Sequence, residues 1–112
     1  MQHDSTKYLR DMLEFGQKIL RYAKDRTFDD FLNDEMRRDA ILWNYCLIGE
    51  ALSQMKRIYP ATAERITDHW KIIGLRNQLI HGYEVIEDEI TWRIIQNKLP
   101  ILIKEIVALL AE

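Results

Sequence analysis

The sequence contains a single cysteine, Cys46, and that scarcity closes off two kinds of chemistry. No disulfide can form within the chain, and one thiol cannot build a zinc site of ordinary Cys and His spacing. Cys46 stands among Trp43, Leu47 and Ile48, a setting that predicts a buried, inert thiol. Net charge is nearly absent too. Sixteen Lys and Arg against eighteen Asp and Glu leave −2, so the molecule as a whole does not attract nucleic acid, and any binding to RNA must come from a local patch. Long apolar runs are missing as well, all falling far short of the ~20 residues that cross a bilayer. The start, Met1-Gln2-His3-Asp4, lacks the basic region and apolar run of a secretory signal. The expectation is a soluble, cytoplasmic protein with no membrane partner.

Glycine and proline are also sparse, at four and two residues, and no segment alternates apolar with polar positions. These absences argue against strands. What is present is 47% hydrophobic and 30% charged residues in a chain of 112, the composition of an ordinary globular protein with no segment destined for disorder. That length buries one core, so a single domain over residues 1–112 is expected.

Apolar residues recur every three to four positions along most of the chain, which predicts an all-α fold. Tyr8, Leu9, Met12, Leu13, Ile19, Leu20 and Ala23 form one stripe, predicting a helix from about residue 5 to 24 with Asp4 or Ser5 as its cap. Thr27 and Asp30 are spaced for a capping arrangement that starts a short helix through Phe28, Phe31 and Leu32, ending near Asn33. The longest pattern runs from about Asp34 to Ile58, and Pro60 marks its end. Gly49 lies inside it at a cost of about 1 kcal/mol relative to Ala, which predicts a compensating close helix crossing that a larger side chain would block.

A weak helix is expected over Ala61–Thr67. The next begins near Trp70, carries Ile72, Ile73, Leu75, Leu79 and Ile80, and stops at Gly82, a residue suited to a left-handed cap. A last helix, kinked at Pro100, is expected from Asp88 to the C-terminus. Together these predict an antiparallel bundle of four main helices plus short ones.

The stretch Arg76-Asn77-Gln78-Leu79-Ile80-His81-Gly82-Tyr83 gathers chemistry at one helix end. Asn77 and His81 are four apart and share a face. Arg76 and His81 are five apart, roughly 140° around a continuous helix, so a single copy does not aim both at one point. An unwound turn near Gly82, or a second copy across a dimer, would bring them together.

An imidazole with an ordinary pKa of about 6.5 exchanges protons near neutral pH, and a guanidinium offers forked donors to phosphate oxygens. Such a pair suffices for metal-free RNA cleavage. The 2′-hydroxyl is an internal nucleophile, so the protein has only to move protons and stabilise charge on the phosphorane. The bland readings are a capping or surface role for His81, a ring of Tyr83 that anchors the turn, and a surface bridge from Arg76 to Glu84 or Glu87.

The stretch from Trp70 through Tyr83, with Ile48-Gly49-Glu50-Ala51 upstream and Asp88 and Leu99-Pro100 downstream, resembles the HepT family of HEPN-domain toxins over most of the chain. That family is marked by an Arg, four residues, a His, one residue and a Tyr, matched here by Arg76, His81 and Tyr83, with a polar residue after the Arg, matched by Asn77. The chain departs from the pattern at His69, where many relatives carry Pro, and over Tyr59 to His69.

The resemblance implies a HEPN-like helical homodimer whose two motifs face each other across a cleft. It further implies a metal-independent ribonuclease without cofactor, with Arg76 and His81 as the catalytic pair and Asn77 in support. A neighbouring nucleotidyltransferase antitoxin, MntA, would neutralise it by attaching AMP to Tyr83. Glu50 could reach the site, but a solvated or interface carboxylate is the favoured reading, and His3 and His69 are expected to be surface residues. The competing readings are a catalytically silent module that binds a nucleotide or the partner enzyme, and a purely structural helical dimer.

Overall fold

In the computed structural model, which describes residues 3–81 and 87–112, the chain is all helical, with no strand among the described residues. α1 (His3–Ala23) leads through α2 (Phe28–Asn33) to α3 (Glu35–Ile58), followed by α4 (Pro60–Ala63), α5 (His69–His81), α6 (Asp88–Asn97) and α7 (Leu99–Leu110). No described helix is long and apolar enough to cross a membrane.

α3 is the centre of the packing, touching α1, α2, α4 and α5. It places Ile41, Leu42, Tyr45, Ile48, Leu52 and Met55 in the core, where they meet Leu9, Met12 and Ile19 of α1. Arg37 Nη1, in the first turn of α3, donates to the Tyr22 carbonyl near the end of α1 (2.8 Å), so these two helices run antiparallel. α7 closes the other side of α1 with Leu99, Leu102, Ile106 and Leu109.

The start of α2 is as expected: the Thr27 hydroxyl accepts from the Asp30 N–H, and the Asp30 carboxylate accepts from the Thr27 N–H. Asp34 caps α3 through the Arg37 N–H. Asp34 and Asp30 are both held below the ordinary carboxylate range, chiefly by these accepted backbone N–H bonds. Arg38 of α3 grips Asp88, the first residue of α6, through Nε and Nη2 at 2.9 and 2.6 Å. That contact ties the start of α6 back to the central helix.

Three expected features are corrected. Neither Asp4 nor Ser5 caps α1, which already includes both, and Ser5 is fully buried. The weak helix over Ala61–Thr67 shrinks to Pro60–Ala63, because the chain then tightens into turns with bonds from Arg65 N–H to the Thr62 carbonyl and from Ile66 N–H to that of Ala63. Those turns bury Ile66. The last helix is two helices, not one kinked helix. Pro100 has no N–H to donate and falls in the first turn of α7, where that donor is not required. Lys98 between them keeps right-handed backbone angles. The cap expected at Gly82 lies outside the described residues.

Ile106 is fully buried, so Ile106→Ala is expected to lower unfolding free energy by about 2–5 kcal/mol in urea titration. The depressed carboxyls give a pH signature. Their stabilisation is present above the unfolded-state pKa and lost as pH falls through the folded-state pKa. A variant carrying Asp30→Asn and Asp34→Asn should therefore be less stable than the parent at neutral pH, with the gap closing below roughly pH 4 in paired melts.

Candidate active site

The site is built where α5 crosses α3. A Cβ placed on Gly49 would lie 2.3 Å from Arg76 Cβ, 2.8 Å from Arg76 Cγ and 3.4 Å from the Ile72 carbonyl oxygen. No real side chain fits those distances, so the glycine expected to permit a close crossing does so, and the residue it admits is Arg76. With the stem of Arg76 lying against the α3 backbone, the guanidinium emerges beside the next residue of α3. There Arg76 Nη2 meets Glu50 Oε2 at 2.8 Å, and Glu50 Oε1 accepts from Gln54 Nε2 at 2.9 Å.

Arg76 Nη1 donates to Asn77 Oδ1 at 2.9 Å. Its Nε is buried and has no hydrogen-bond partner among the described residues. A guanidinium has five N–H donors, so after the bonds to Glu50 and Asn77 one N–H on each terminal nitrogen is uncommitted among the described residues. That pair is a fork of the kind that takes a phosphate. The side chain is partly open, with 23% of its surface exposed.

Cys46, one turn earlier on α3, is buried as expected. Burial pushes its thiol up, and the nearby Arg76 charge pulls against that shift.

His81 occupies the last turn of α5 and is exposed, as is Asn77 one turn before it. Arg76 turns toward α3 and His81 toward solvent, which is the divergence expected from their spacing. Asn77 bridges the two, since it shares the His81 face and also holds the guanidinium. Tyr83 lies outside the described residues, and so does Glu84, one of the partners considered for Arg76. Among the described residues, the carboxylate that Arg76 pairs with is Glu50.

Glu50 remains 44% exposed, as a solvated carboxylate should, yet it also reaches Arg76, the alternative weighed for it. The two residues are far apart in sequence, and the only local signal was the adjoining Gly49, which marks where another helix must come closest. His69 is half-buried at the start of α5 instead of a surface residue. A mostly apolar cavity of about 260 Å³ between α5 and α7, lined by Tyr45, Ile72, Leu75 and Leu102, is not lined by Arg76, Asn77 or His81.

Comparison with known proteins gives a consistent picture. The family model described as ribonuclease HepT-like matches residues 12–109. Two Methanocaldococcus jannaschii proteins provisionally named RNases are similar: MJ0127, 36% identical over 104 residues that span 92% of this chain and 84% of the relative, and MJ1380, 30% identical over 106 residues that span 94% and 95%. A Thermococcus cleftensis protein provisionally named ribonuclease HepT is 26% identical over 106 residues, covering 91% of this chain and 92% of that one. No solved structure matches the chain.

The glycines supply a paired test of the crossing. Gly49→Ala should lose about 1–3 kcal/mol of stability through overpacking against Arg76. Gly74→Ala, where an added Cβ meets nothing within 4 Å, should gain roughly 0.5–1 kcal/mol from helix propensity. Chemical denaturation of both variants checks the opposite signs.

Proposed function

The chain belongs to the HepT-like ribonuclease family, and on that premise we propose that it is a metal-independent endoribonuclease acting as the toxin of a toxin–antitoxin pair. The observation that carries this reading is Arg76, fixed by Glu50 and Asn77 with a free fork of donors, on the same short helix as the exposed imidazole of His81.

In the proposed reaction the 2′-hydroxyl oxygen attacks the adjacent phosphorus, its proton is taken by a base, and the 5′-oxygen leaves with a proton from an acid. The product ends are a 2′,3′-cyclic phosphate and a 5′-hydroxyl. His81 moves the protons, and Arg76 stabilises the charge that builds on the phosphorane oxygens. In-line displacement places the base and the acid on opposite sides of the phosphorus, which one imidazole cannot span. Two copies with facing motifs supply two imidazoles and two guanidinia.

The surface of α3 supports such a pairing. Met36 and Trp43 are 85% and 62% exposed and, with Leu47, recur at helical spacing on the side of α3 that leads to Glu50. A second copy seated there would cover the apolar stripe and close over Arg76.

Neutralisation in this reading falls on Tyr83. An MntA-like nucleotidyltransferase would let the Tyr83 phenolic oxygen attack the α-phosphate of ATP, releasing pyrophosphate and leaving AMP on the tyrosine. The added phosphate charge, only two residues from His81, repels an RNA backbone and needs no unfolding to inhibit.

Purified protein is expected to cut RNA in EDTA, and His81→Ala to lose at least about 100-fold in rate. Cleavage abolished by the chelator, or unchanged in His81→Ala, contradicts the reading. RNA left intact by active-folded protein that still takes AMP from the partner enzyme favours the silent binding module. Tyr83→Phe should stay folded and toxic while escaping the partner, and intact-mass spectrometry should find no added AMP. AMP on Tyr8, Tyr22, Tyr45 or Tyr59 instead would show the modified residue to be misassigned.

A further inference from the structure

The contacts of Glu50 give it a part in the reaction that no motif residue supplies. Its carboxylate is held from behind by Gln54 Nε2 (2.9 Å) and presents its other oxygen to Arg76 Nη2 (2.8 Å). Gly49, the residue before it, lets the stem of Arg76 lie on the α3 backbone, so the guanidinium has little distance left over which to wander.

The remaining contacts of Arg76 are weak holds for a cation. Asn77 offers one neutral amide oxygen, Nε has no partner among the described residues, and Cys46 is a buried thiol. A half-buried guanidinium deprived of its carboxylate is left poorly compensated and turns toward water.

We propose that Glu50 is a positioning residue for the ribonuclease site: it fixes the plane of the Arg76 guanidinium so that its two free N–H groups point as a fork at the phosphate undergoing cleavage. This rests on the ribonuclease reading. The carboxylate acts through Arg76, with one oxygen on the guanidinium and the other accepting from Gln54. Its contribution is to the transition state more than to binding, since charge on the phosphorane oxygens grows as the reaction proceeds and a misdirected fork fails to meet it.

The experiment has two arms on Glu50→Ala and Glu50→Gln. In the first, NMR of the Arg76 side-chain Nε–Hε group follows its order on the full chain without any substrate. The parent should show a rigid Nε–Hε vector, Glu50→Ala a mobile one, and Glu50→Gln an intermediate one, because the amide oxygen still accepts from Nη2. In the second, cleavage of RNA under steady state should fall roughly 10- to 100-fold in kcat in Glu50→Ala, with KM within about twofold and a smaller loss in Glu50→Gln. The pH–rate profile should keep its shape in both variants.

An Arg76 side chain as rigid in Glu50→Ala as in the parent overturns the proposal, and so does undiminished kcat. Loss of the acidic limb of the pH profile in Glu50→Gln overturns it as well, by making Glu50 a proton acceptor. If Glu50→Ala does not fold, Glu50→Gln carries both readouts. A parent that cuts no RNA contradicts the ribonuclease reading, while the NMR arm still decides whether Glu50 orders Arg76.

Discussion

The approach of α5 to α3 at Gly49 is the constraint on which the rest of the site depends. α5 has a single buried hydrophobic residue, Ile72, and otherwise rests on α3 with half-buried side chains such as Ile73, Leu75 and Leu79. It lacks the deep apolar face that holds α1 and α7 in place, so its position is set by how closely its backbone side can come to the central helix. A glycine at that one point lets Arg76 occupy the space a side chain would take. The guanidinium is therefore located by a fit between two helices and not by the conformational preferences of a long flexible stem, which reduces the entropy lost when it is used.

From that crossing follows a division of labour along one short helix. Arg76 faces inward onto α3, where its permanent charge is matched by Glu50. His81 faces outward at the helix end, open to protons and to ligand. A net charge of −2 gives no general attraction to a polyanion, so in the proposed ribonuclease a local fork of donors would carry the electrostatic load. The proposed second copy completes the arrangement, because it would bring a facing Arg76 and His81 over the same cleft while covering Met36 and Trp43.

Much of this was legible in the sequence because helices write their spacing directly into it. The apolar recurrence along α1 and α3, the capping pair of Thr27 and Asp30, and the compensating crossing at Gly49 all follow from local rules that the fold respects. The angular divergence of Arg76 and His81 followed from five steps around a helix. The identity of the partner that Arg76 meets did not. Glu50 sits on a different helix, and nothing in a carboxylate's local neighbours says which cation a crossing will bring to it. The expectation for Ser5 failed because a small polar residue near a helix start reads the same whether it caps the first turn or is buried within it. Pro100 was read correctly as an interruption but not in kind, since the same missing N–H serves a kink inside one helix and the first turn of another.

The central claim, cleavage through the ribose hydroxyl by a fixed guanidinium and a mobile proton, is tested most directly with a matched pair of oligonucleotides. One is all-ribose, and the other carries 2′-deoxyribose at every position where the first is cut. The account predicts that the all-ribose strand yields 2′,3′-cyclic phosphate and 5′-hydroxyl ends and that the substituted strand survives at those positions. Cleavage of the deoxy positions, or products bearing 3′-hydroxyl and 5′-phosphate ends, would contradict it.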